Sequence, residues 1–202
     1  MIGSRERVAV VEQVAYERDC VLSRAEIMSA GGTAWDIERE LERGRWSRAG
    51  RHTIGIHRGP LTERALQRVA LHEVGSHGAL DGVSGLRTAG LVRYESPACV
   101  SALHGWQPAR IPGVRVKELR RWDEADVIDA GMRRVHPALA AVRAASWEDT
   151  DRQAALILIM TAQQHVARAG DMWERLLGFK RLKRRGHSGR PDRHRRRRPG
   201  DG

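Results

Sequence analysis

Few residues in this chain stand at spacings that could do chemistry, and the histidines come first. His72-Glu73 followed by His77 has the outline of a zinc-hydrolase helix, but that motif needs its histidines four apart, so that both meet one metal from one helix face. Here they are five apart with Gly75 between them. The pair reads as a helix end, and no metal or other cofactor is expected. His104, His136 and His165 stand apart and suit capping or packing. Cys20 and Cys99 are too few for a disulfide framework and lie at no zinc spacing from histidines. Pro191-Asp192 lacks the downstream acidic-x-Lys element that a metal-dependent nuclease needs. With no Ser/His/Asp order, phosphate loop or paired carboxylates, the chain is expected not to be an enzyme.

The side chains with a clear chemical use are Arg39, Arg43, Arg45, Arg48 and Arg51, with Trp35 beside them. A guanidinium takes a phosphate, or the O6 and N7 edge of guanine, through two parallel hydrogen bonds. Such groups work only if backbone elements hold them together. Ser23-Arg24-Ala25-Glu26 has the form of a capping box and predicts a helix start, with Ala25 and Met28 among its apolar positions and Gly31-Gly32 as its end. Thr33, with Asp36 three residues on, caps a second helix from Ala34 to Arg43 that stops at Gly44. Two short helices across a glycine turn make a helix-turn-helix. Arg45 to Ile56 then reads as two short strands around Ala49-Gly50-Arg51, a wing with basic residues near its tip. With Ala34, Ile37 and Leu41 turned inward, the outer face of the second helix carries Trp35, Asp36, Arg39, Glu40 and Arg43.

Upstream, Arg5 to Arg18 places Val8, Val11 and Ala15 on one face, as a first helix of a three-helix winged domain would. Downstream, Thr62 caps a helix to about Glu73, after which five glycines between Gly75 and Gly90 predict turns and at most one short helix. Ala98–Leu103, Val114–Leu119, Val127-Ile128 and Met132–Val135 read as strands. His136-Pro137 opens a helix to about Ala145. Ser146 with Asp149 signals another, to about Ala167, whose all-apolar centre from Ala154 to Met160 predicts burial on every side. A last helix is expected from Asp171 to about Arg184. The expected fold class is α+β, or mixed: an N-terminal winged helix-turn-helix over residues 1–58, then a small α/β domain with C-terminal helices over 59–185. Residues 186–202, rich in Arg, Gly, Pro, Asp and His, are expected to be a disordered basic tail.

The formal charge of +11 is concentrated at that end. Residues 178–202 hold eleven Lys/Arg against Asp192 and Asp201, or +9, which leaves +2 for the other 177. The overall charge is therefore a poor guide to the folded part. With 41 % hydrophobic residues in 202, the chain can bury a core. Its charged first six residues and its longest apolar run, Ala154–Met160, predict neither a signal peptide nor a membrane span, and a cytoplasmic setting is expected.

Val21-Leu22-Ser23-Arg24-Ala25-Glu26-Ile27, Leu41-Glu42-Arg43-Gly44-Arg45-Trp46 and Pro60-Leu61-Thr62 come in a recognisable order. So do Pro112-Gly113-Val114-Arg115-Val116 and Arg134-Val135-His136-Pro137-Ala138-Leu139. Together they resemble the AbiEi-type antitoxin family of abortive-infection (type IV toxin-antitoxin) systems, and related actinobacterial proteins in which a winged helix and an α/β region precede an endonuclease-like segment. The likeness spans roughly residues 5 to 186. It implies a DNA-binding transcriptional repressor that counteracts a toxin, with double-stranded operator DNA and a cognate toxin as partners, and a homodimer where the operator is palindromic. Trp35, Arg39, Arg43, Arg45, Arg48 and Arg51 are then the DNA-contacting set, Arg39 and Arg43 at bases and Arg45, Arg48 and Arg51 at phosphates. Two features depart from the family pattern. The second helix carries Asp36, Glu38, Glu40 and Glu42, and the basic tail stands where relatives continue into the nuclease-like segment. Two other readings therefore stay open: a module that binds a toxin or nuclease partner, and a remnant of an endonuclease-like protein without its catalytic segment.

Overall fold

The computed structural model describes residues 3–105 and 111–179. The chain opens with α1 (Ser4–Tyr16), which buries Val8, Val11 and Ala15 as their spacing predicts. Asp19 and Cys20 both take positive φ, 56° and 57°, to turn the chain into β1 (Val21–Ser23). This costs backbone energy that neighbours must offset, and the Asp19 carboxylate is gripped by Arg64 at 2.9 Å and Arg68 at 2.8 Å.

The predicted capping box of Ser23 and Glu26 starts α2 (Arg24–Ser29), but Ala25 and Met28 face solvent and Ile27 is the buried residue. With fewer than two turns, α2 has room for one inward side chain. Gly31, at φ +88°, ends it, and a second capping box, Thr33 with Asp36, starts α3 (Ala34–Glu42). β2 (Ser47–Arg48) and β3 (Thr53–Gly55) form the expected hairpin. With β1 they make an antiparallel sheet in the order β1-β3-β2, with Leu22 and Arg48 both opposite Ile54. Val8, Val11, Leu22, Ile27, Ile37, Trp46 and Ile54 close a core beneath it, where burying each aliphatic side chain is worth about 1.5–3 kcal/mol.

Capped by Thr62, α4 (Glu63–Val74) packs on both halves of the molecule. Its Ala65, Val69, Ala70 and Val74 join Val21 to Leu80, Val100 and Ala102 in one cluster. The second half is a five-stranded sheet built from β4 (Gly78–Leu80), β5 (Ala98–Leu103), β6 (Val114–Leu119), β7 (Val127–Ile128) and β8 (Arg134–Val135) in the order β6-β5-β4-β8-β7. β4 runs antiparallel to β5 and parallel to β8, and β5 runs parallel to β6. The glycine-rich stretch thus holds a strand where turns were expected. Gly78 fits because a Cβ there would lie 2.5 Å from the Ser101 carbonyl oxygen.

Opposite α4, the sheet is covered by α5 (Gly82–Thr88) and α6 (Pro137–Trp147), with α7 (Asp151–Gln163) and α8 (Ala169–Gly178) packed on α6. Two expectations are corrected here. Thr150, not Ser146, caps α7, because Ser146 is still within α6 and donates to the Arg143 carbonyl. The apolar centre of α7 is not buried all round: Ile157 is enclosed, but Leu156 is 46 % and Ile159 52 % exposed. α7 lies on the outside of α6, so one side has nothing to pack on. The last helix ends at Gly178 among the described residues; its expected continuation to Arg184, and the basic tail, lie outside them. The fold is mixed α+β, with eight α-helices and two sheets among the described residues.

Candidate nucleic-acid interface

The inward stripe of α3 is Asp36, Ile37 and Glu40, all essentially inaccessible, and Leu41, which is half-buried; Ala34 is exposed. This corrects the expected helical wheel, in which Asp36 and Glu40 faced out and Ala34 faced in. The capping box already aims Asp36 back at the helix start, and Glu40 follows it by one turn on the same side. What lets both carboxylates go under is a set of donors from elsewhere in the chain.

Asp36 accepts from the Thr33 amide at 3.1 Å and its hydroxyl at 2.7 Å, from Ser4, and from Arg7 Nε at 2.9 Å. Burial alone would push this carboxyl up, but the hydrogen bonds from Arg7, Ser4 and Thr33 outweigh it and hold it well below the usual carboxylate range. Glu40 accepts Arg39 Nε and Nη2 at 3.1 and 3.0 Å on one oxygen and Arg45 on the other, and Arg43 Nη1 lies 4.0 Å away. Three arginines thus surround one enclosed carboxylate. Arg39 also lies over the Trp35 ring, 4.4 Å from its centroid, which leaves the guanidinium side chain 16 % exposed while Trp35 is 61 % exposed. The side chains of Arg43, Arg45 and Arg48 are more than half exposed.

Glu38 behaves differently. Half exposed on the outer side of α3, it accepts Arg24 of α2 at 3.1 Å and Arg48 of β2 at 2.9 Å. One carboxylate ties α2 and α3 to the hairpin. Arg58 adds a donor to the same region by bonding the Arg43 carbonyl at 2.8 Å.

Of the six residues expected from sequence, Trp35, Arg39, Arg43 and Arg45 are grouped at α3 and its exit, and Arg48 joins them through Glu38. Arg51 lies at the hairpin turn, and its backbone is held from the other side. Glu73 of α4, buried, accepts the amides of Arg51 and His52 at 3.1 and 2.8 Å and the Thr53 hydroxyl at 2.7 Å. A side chain at Gly50 would collide with the same carboxylate. The His72-Glu73 pair is therefore a junction. Glu73 fastens the hairpin, and His72 reaches the capping carboxylate Glu26 at 3.1 Å, while burial pushes the His72 pKa down. Sequence reasoning missed Arg24 and Arg58, and also Glu73 as the hairpin anchor. Arg24, at the second position of a capping box, already belongs to the turn facing α3. Nothing local marks Glu73.

No family model matches the chain, and no curated protein matches it by sequence. Among solved structures, the crystal structure of the RV2827C protein from Mycobacterium tuberculosis superposes with a TM-score of 0.52 at 18 % identity, covering 84 % of this chain and 70 % of that one. At that identity the likeness is one of fold.

Proposed function

We propose that this chain binds double-stranded DNA and acts in the cytoplasm as a transcriptional repressor of the AbiEi antitoxin type. The reading takes α1, β1, α2, α3 and the β2–β3 hairpin as a winged helix-turn-helix, in which α3 enters the major groove and the hairpin lies along the adjacent backbone. The observation that carries it is the set of guanidinium groups at one end of α3, with Glu40 enclosed beneath three of them. Interspersed acids argue against phosphate contact, but two of the four on α3, Asp36 and Glu40, are inaccessible and already paired with arginines. Arg43 keeps the base-reading role, and Arg45, Arg48 and Arg51 the phosphate contacts. Arg39, committed to Trp35 and Glu40, instead sets the exposed indole.

A mobility shift of residues 1–179 on the DNA upstream of its own gene, across a salt series, tests the reading. A shifted band is expected at low salt, weakening with salt by a slope of about 0.9 per phosphate contact. Absence of any shift at low salt would overturn it. A second reading, a module that binds a toxin or nuclease partner, is favoured by exposed Leu156 and Ile159 on α7 and Trp173 and Leu177 on α8. Co-purification with the product of a neighbouring gene but no DNA shift would select it.

A further inference from the structure

We propose that Glu38 and Glu40 of α3 act on this interface in opposite senses: Glu40 is a positioning residue that holds arginines ready for phosphate, and Glu38 is a brake that competes with phosphate for them. The inference rests on the DNA-binding reading above.

The difference lies in access. Glu40 is fully enclosed, and both of its oxygens are in use, one by Arg39 and one by Arg45. No phosphate can reach it or take its place, and an unpaired buried carboxylate is strongly disfavoured, so its arginines stay on it whether or not DNA is bound. A guanidinium has five N–H donors in a fixed fork. Arg39 spends two on Glu40, and Arg45 keeps donors pointing away from its own contact, on a side chain that is 53 % exposed. Arg39 also lies 3.7 Å from Asp36, which Arg7 pairs, so two negative charges among four positive ones leave a net attraction for phosphate, with the side chains already ordered.

Glu38 is 48 % exposed and makes one contact each with Arg24 and Arg48, both at the surface. An approaching phosphate can replace it on either arginine, and its own charge opposes that approach. DNA must therefore displace Glu38, whereas it inherits the arrangement that Glu40 maintains.

Net charge alone predicts that Glu38→Gln and Glu40→Gln both tighten binding, since each removes one negative charge. The full chain is titrated on a duplex carrying the DNA upstream of its own gene, with both variants, across a salt series. Glu38→Gln is expected to tighten binding by about threefold to tenfold at low salt and to steepen the salt dependence. Glu40→Gln is expected to weaken binding by about tenfold, the effect of removing one charge-assisted hydrogen bond, and to make the salt dependence shallower. A merely structural Glu40 would lower the melting temperature but leave the salt slope of the folded variant unchanged. Should Glu40→Gln not fold, Glu40→Asp carries that half: it keeps the charge but, one methylene shorter, cannot hold Arg39 and Arg45 on its two oxygens together, so binding is expected to weaken severalfold at unchanged net charge, and binding as tight as the parent's overturns the inference. A folded Glu40→Gln that binds as tightly as the parent, or a Glu38→Gln that binds no better, overturns the inference while the DNA-binding reading stands. No shift by the parent overturns both.

Discussion

Burying a carboxylate in a small domain is costly, and Asp36 shows how donors from two segments offset that cost. Ser4 and Arg7 come from α1, Thr33 from the start of α3, and the acid they share docks one helix on the other. Because its folded pKa lies below the ordinary Asp value of 3.8, the charged form is the one that stabilises the fold. That contribution is complete above about pH 5, where the unfolded chain is also ionised, and fades as pH falls below 3.8 toward the depressed folded value. Asp36→Asn is accordingly expected to destabilise the protein by about 2–4 kcal/mol at neutral pH, through weaker pairing with Arg7 and a weakened cap. In urea denaturation, the gap between parent and variant should narrow as pH drops from about 5 to about 2. A gap that is constant across that range would mean that the ionised form is not what holds α1 to α3. Glu73 solves the same problem with two backbone amides, of Arg51 and His52, and one side-chain donor, the Thr53 hydroxyl.

Among the elements, Gly82 combines a left-handed backbone with a close ring neighbour. It begins α5 at φ +54°, and an added Cβ would lie 2.7 Å from the Trp147 ring at the end of α6. Asp81 beside it is enclosed and accepts the Gly82 amide at 2.6 Å, the Ser101 hydroxyl at 2.5 Å and Arg143 at 2.8 Å, which joins β4, β5 and α6 at one point. Gly82→Ala combines a disfavoured backbone with a ring that must move, and a destabilisation of about 1–3 kcal/mol is expected in thermal unfolding. A variant as stable as the parent would show that this corner can relax. Elements announced by capping chemistry were mostly legible: Ser23, Thr33 and Thr62 start the helices they predict, since a cap is a short-range bond, whereas Ser146 does not, because α6 still holds it. Elements specified by distant partners were not. β4 has three residues, too few for a pattern, and exists because β5 and β8 pair with it. The direction of Glu40 depends on Arg45, beyond the end of its helix. The exposure of Leu156 and Ile159 depends on how many layers the helices form, which the composition of α7 does not carry. For the same reason the arginines of the candidate interface could be named from sequence, but their division between an enclosed acid and an exposed one could not.

At the scale of the whole molecule, the net charge is concentrated at one end of the chain. Residues 180–202 contain eleven Lys/Arg and two Asp, so removing them takes the formal charge from +11 to +2. The described residues close three apolar clusters within residues 8–179. Truncation after Phe179 keeps every side chain named in these clusters and is expected to leave the melting temperature unchanged within about 2 °C. Its effect on DNA should be large but indiscriminate, because a run of cations releases counterions from any duplex irrespective of sequence. Both upstream and unrelated DNA should be bound more weakly, with the salt slope reduced by about 0.9 for each phosphate that the segment had neutralised. The ratio of the two affinities should rise, since the candidate interface that remains is the arginine set held in place by Glu40 and bridged by Glu38. If truncation instead abolished the preference for upstream DNA while leaving the unrelated duplex bound as before, sequence reading would belong to the basic segment and not to α3. That outcome would leave the ordered arginines of α3 and the hairpin as a surface whose charges are internally satisfied.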